Sequence, residues 1–180
     1  MTLSGSFEQI AMTPPTTRGE MVVVSEPVEV EQGASVDTLI RQLMSLSSYI
    51  NKLYIQSHLI HLNVEGPLFF PLHDFFKEQY ASNIENFDTL AELIRSMNYL
   101  MPMCEKGLDS ACMNFTHVKS YDARSMVTTY LNNLEELGMA AKEVGNTAKT
   151  VEAPDVENKL ADLVNFCFKS SWMLKATLRG

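Results

Sequence analysis

Three histidines, His58, His61 and His73, lie in the stretch HLIHLNVEGPLFFPLHDFFKEQY (58–80) among apolar and aromatic residues. Imidazole binds a metal ion through one ring nitrogen, and carboxylates complement it where no thiolate is present. Two acids that can share a cation with these rings, Asp88 and Glu92, follow one helical turn apart. Lys77 stands one turn after His73 and brings a positive charge toward the same place.

A cation held by His73, Asp88 and Glu92 sets a distance problem. The helical stretch from His73 to Asp88 covers ~22 Å at about 1.5 Å per residue, so one chain cannot close the site. A two-fold axis near residues 80–82 would lay two copies of the helix antiparallel, with His73 of one beside Asp88 and Glu92 of the other. Such a contact is isologous, so each dimer carries two identical sites. His61 can join from the preceding helix across a short turn. The ligand set becomes His61 and His73 from one chain and Asp88 and Glu92 from its mate, a set that suits iron or zinc. On spacing alone, the ordinary reading of each histidine as a satisfied or exposed side chain stays open.

The elements that must position these groups are helical. From an N-cap at Ser35, apolar residues fall at Leu39, Leu43, Leu46, Ile50, Leu53 and Ile60, which predicts a helix ending near His61 to Asn63. The NVEGP turn follows, with Gly66 free to take a positive φ and Pro67 blocking continuation. A second helix, with Pro71 in its first turn, runs to about Met97 and turns Leu72, Phe76, Phe87, Leu90 and Ile94 to the core. Its other stripe, His73, Lys77, Tyr80, Ile84, Asp88, Ala91 and Arg95, is either a solvated face or a subunit interface. A connection follows, with a short helix between Glu105 and Cys112. A third helix from Ser120 and a fourth after Ala153-Pro154 complete the count, the last with Trp172 as a core anchor. The predicted fold is all-α, a four-helix bundle with a short extra helix between the second and third.

Composition bounds the rest. The chain has 180 residues, 46% of them apolar, enough for one domain (35–180) behind an acidic arm (1–34). In the arm five glutamates against Arg18 leave −4 of the overall −8. Such a tail repels a phosphate backbone and argues against DNA binding. No secretory leader pattern and no uncharged apolar window of membrane-spanning length is visible, so the expectation is a soluble cytoplasmic protein without membrane contact. Cys104, Cys112 and Cys167 form no CxxC pair and read as one core thiol and two loop thiols.

HLNVEGPLFFPLHDFFKEQY, FDTLAELIRSM and WMLKATL resemble the Dps family, the mini-ferritins of bacteria and archaea, over about residues 35–178. The resemblance implies a ferritin-like bundle assembled as a hollow dodecamer. It further implies a ferroxidase that oxidises Fe(II) with hydrogen peroxide or dioxygen between two-fold-related subunits and stores ferric mineral inside. It makes His61, His73, Asp88 and Glu92 the catalytic metal ligands, and Glu152, Asp155, Glu157 and Asp162 candidates for an iron-entry pore. Negative charge at Asp155 and Glu157 also suits the first turn of a helix.

Lys77 departs from the family pattern, which usually has a ligating aspartate there; a charged ammonium has no lone pair to give. Lys77 can pair with Asp88 or Glu92 of the mate and leave a weak one-metal site. Alternatively His58, one turn before His61, supplies the lost ligand and tilts the site toward zinc; Asp74 and Glu78 lie about 100° of helix rotation away. The last account is a structural cage with impaired ferroxidase activity. A second departure is Leu62, where many members carry tryptophan.

Overall fold

The Ser35 side chain accepts the Thr38 amide at 3.1 Å and Asp37 sits in the first turn, so α1 (Val36–Asn63) starts where an N-cap was expected. The computed structural model describes residues 34–179; the predicted arm, except Ala34, lies outside the described residues. Gly66 takes φ +98°, and α2 runs Phe69–Ser96 with Pro71 in its first turn. It stops because Asn98 turns left-handed (φ 68°), which lets the Asn98 and Tyr99 amides reach back to the Arg95 and Ile94 carbonyls. The short helix α3 is Glu105–Ala111. Helix α4 (Ala123–Thr150) begins three residues later than Ser120, because Asp122 is the residue whose carboxylate accepts the Ser125 amide. Helix α5 is Pro154–Leu178, with proline in its first turn.

The α4–α5 junction uses the same closure as the end of α2. Glu152 adopts φ 58°, and the Glu152 and Ala153 amides bond the Lys149 and Ala148 carbonyls. A side chain in that conformation costs about 1 kcal/mol that glycine avoids. Glu152→Gly is therefore expected to raise stability by about 0.5–1 kcal/mol, read from denaturant midpoints.

Among the described residues four long helices and α3 make an all-α bundle around one core. The predicted apolar stripe of α1 is buried throughout, and that of α2 is buried save half-buried Phe87; α4 buries Met126, Tyr130, Leu134, Leu137, Ala141 and Val144, and α5 buries Val156, Leu160, Leu163, Cys167 and Leu174. Trp172 is a correction: it is 67% exposed. The inward positions of α5 are Cys167, Ser170, Ser171 and Leu174, and Trp172 lies one residue, about 100°, beyond that face. Cys167 is the core thiol, its pKa pushed up to about 12 by burial, while Cys112 is half-buried and Cys104 exposed.

At mid-bundle all four long helices meet in an uncharged polar cluster. Tyr130 donates to Gln79 Oε1 (3.1 Å), Asn83 Nδ2 donates to the Tyr130 oxygen (2.9 Å) and to Ser57 Oγ (3.3 Å), and Gln79 Nε2 donates to Ser170 Oγ (3.1 Å). Burial raises the Tyr130 pKa, so the phenol stays a neutral donor. Tyr130→Phe strands amide groups that have no water to turn to. It should cost about 1–3 kcal/mol, seen as a fall in Tm of several degrees.

Candidate metal centre

The turn from Val64 to Leu68 brings the last turn of α1 against the first turns of α2, and there two histidines clamp each other. His61 Nδ1 lies 2.8 Å from the His73 carbonyl oxygen, and His73 Nδ1 lies 2.9 Å from the His61 carbonyl oxygen. A carbonyl only accepts, so each Nδ1 carries the hydrogen, and in the neutral ring that leaves the lone pair on Nε2. The rings stack at 3.7 Å between centroids and 23° between planes, half-buried, with their Nε2 atoms left as donors for a ligand. Fixing the tautomer through the second nitrogen is how proteins prepare a metal-binding imidazole.

Tyr80 stands edge-on to His61, with ring centroids 5.4 Å apart, and lies 4.5 Å from the ring of His58; Tyr54 continues the row 6.1 Å beyond His58. His58 and His61 are 6.3 Å apart by the same measure. Lys77, between His73 and Tyr80 along α2, is exposed and makes no ion pair among the described residues. Asp74 and Glu78 are exposed on the neighbouring stripe.

Asp88 and Glu92 are exposed farther along α2 and have no hydrogen bond or ion pair among the described residues. Among the described residues no three of His, Cys, Asp or Glu converge on a common metal position. The mid-bundle cluster is made of amides and hydroxyls, so that interior offers no carboxylate cradle either. At the other end of α2's partner hairpin, Glu152 and Asp155 are exposed around the α4–α5 turn and Glu157 is half-buried; Asp162 is exposed, with Lys159 3.9 Å away. No helix among the described residues is long and apolar enough to cross a membrane.

The reciprocal clamp could not be foreseen from the sequence, since its acceptors are backbone carbonyls. The mid-bundle cluster had a fainter signal: Ser57, Gln79 and Asn83 occupy inward positions where apolar residues would be ordinary.

A bundle of this connectivity, with a short helix between α2 and α4 and an imidazole pair at the α1–α2 turn, is the architecture of ferritin-like proteins. The ferritin-like domain model matches residues 31–180, and the chain belongs to that family, in its Dps branch. It is 30% identical over 137 residues to the DNA protection during starvation protein of Helicobacter pylori, covering 70% of this chain and 88% of that protein. To the protein of that name from Brevibacillus brevis it is 29% identical over 128 residues, covering 70% of this chain and 85% of the relative. The crystal structure of the Dps protein from Vibrio cholerae O1, described as a member of a broad superfamily of ferritin-like diiron-carboxylate proteins, superposes with a TM-score of 0.74. It is 25% identical and covers 79% of this chain and 89% of that one.

Proposed function

We propose that this chain is a cytoplasmic iron-storage and iron-detoxification mini-ferritin. It oxidises Fe(II) with hydrogen peroxide or dioxygen between two-fold-related subunits and keeps the ferric mineral in a hollow dodecameric shell. The observation that carries the reading is the His61–His73 clamp, which fixes two neighbouring imidazoles in the metal-binding tautomer. Asp88 and Glu92 of the mate complete the site, neutralising charge on the substrate cation. Lys77 supplies a fixed positive charge toward the same carboxylates, so each site takes a single Fe(II) ion. Glu152, Asp155, Glu157 and Asp162 line the entry route. The acidic arm turns the shell away from DNA.

The test is the rate of Fe(II) oxidation by metal-free protein, followed by ferric absorbance with hydrogen peroxide and with dioxygen. Oxidation well above that of free Fe(II) supports the reading; oxidation no faster than free Fe(II) refutes it.

Lys77 favours one second reading, because an exposed ammonium beside the clamp opposes any cation there. In that reading the assembly is a ferroxidase-impaired metal-binding or structural cage, with His58 as third imidazole and zinc as its metal. Tight zinc binding without iron oxidation would favour it.

A further inference from the structure

The His73 ring is met from two sides. It stacks on His61 at 3.7 Å between centroids, and Phe69, one turn earlier on α2, lies 5.0 Å away with 32° between planes. Residues four apart share a helix face, so the second contact follows from the spacing of Phe69 and His73 in the sequence. Phe69 and His61 make no ring contact with each other among the described residues, which puts them on different sides of His73. Phe69 is itself half-buried, packs against the core and meets Phe70 edge-on at 5.3 Å. The hydrogen bond from His73 Nδ1 to the His61 carbonyl is only part-buried, so water competes for both of its ends.

We propose that Phe69 is the positioning residue of His73. Its ring closes the side that His61 leaves open, so the imidazole keeps hydrogen on Nδ1 and presents Nε2 to the cation. The benefit to Fe(II) binding rests on the ferroxidase reading above; the positioning does not. A flat aromatic ring packs along an imidazole and keeps water from it, which a branched aliphatic side chain does less well. Without that ring His73 turns about its Cβ–Cγ bond and trades the carbonyl for water. It then spends time in the other tautomer, whose Nε2 carries hydrogen and has no lone pair for a metal. His61 is spared, because its own bond runs to the backbone carbonyl of residue 73. Supporting groups that orient a metal ligand are worth roughly 10- to 100-fold in affinity.

The chain has four histidines, so nitrogen-labelled rings can be followed one by one in the metal-free protein by solid-state magnetic resonance, assigned by replacing each histidine in turn. In the native protein His61 and His73 should each show the single tautomer with hydrogen on Nδ1. Phe69→Leu should give His73 a mixture of tautomers, leave His61 as it was, and weaken anaerobic Fe(II) binding about tenfold. Phe69→Tyr, which restores a flat ring, should recover both readouts. Phe166→Leu, the same change at a half-buried ring on α5, should match the native protein. A single His73 tautomer in Phe69→Leu, or Fe(II) bound there at native strength, overturns the proposal. Equal loosening of both histidines, or the same losses in Phe166→Leu, also overturns it, since either marks a general loss of packing. Native protein that oxidises iron no faster than free Fe(II) instead overturns the ferroxidase reading, and the metal-free spectra still decide the role of Phe69. Far-ultraviolet circular dichroism of each variant separates a freed ring from a lost fold.

Discussion

Lys77→Asp should strengthen Fe(II) binding about a hundredfold and raise the oxidation rate at limiting iron accordingly. Unit charges a few ångströms apart in a water-exposed setting interact by roughly 1 kcal/mol, and a divalent ion doubles that. Removing the ammonium relieves roughly 1–2 kcal/mol of repulsion, and the carboxylate adds attraction of similar size plus a lone pair. A swing of about 3 kcal/mol is about two decades in affinity. Lys77 is exposed and has no ion pair among the described residues, so the change breaks none of their contacts. The measurement is anaerobic Fe(II) titration beside Lys77→Gln, which removes charge without supplying a carboxylate and should fall between the two. Equal affinity in all three proteins would mean that Lys77 lies away from the cation. The aspartate variant should also take a second Fe(II) per site, because the fixed charge no longer occupies its place.

His73→Ala should lower Fe(II) affinity a hundredfold or more. Loss of a group that merely orients a ligand costs 10- to 100-fold in metal sites, and here a ligand itself is removed. The substitution isolates that effect, because the bond that holds His61 runs to the backbone carbonyl of residue 73 and survives it. Oxidation by His73→Ala at the native rate would place the reaction elsewhere. His117→Ala is the control; that imidazole packs 5.1 Å from the ring of Phe115, on the connection before α4.

Much of the fold could be read from the chain because helix periodicity and caps are local properties. Ser35, Gly66 and Pro154 stop or start helices by their own side chains or backbone freedom, and the core stripes follow at three- and four-residue spacing. Asp122 shows the limit: Ser120 and Asp122 are both plausible caps, and only the carboxylate-to-Ser125 bond decides between them. Trp172 failed for a different reason. Size argued for burial, but Ser170 and Ser171 are the buried positions at this level of α5, and the phase they set turns the indole outward. His61 and His73 were legible as a candidate pair from type and spacing. Their tautomers and stacking were not, because these depend on the meeting of two helix ends. Asp88 and Glu92 stand clear on α2, about 22 Å and about 28 Å of helix from His73, so only a second chain can bring them to the imidazoles.

The outward position of Trp172 gives the protein a spectroscopic handle. It is the chain's single tryptophan, so all indole emission originates from one site on α5. Emission from a water-exposed indole lies to the red. A blue shift on raising the protein concentration would therefore register another chain covering that face, without any label. An unchanged spectrum from dilute to concentrated solution would mean that α5 keeps this face in water in the assembled state.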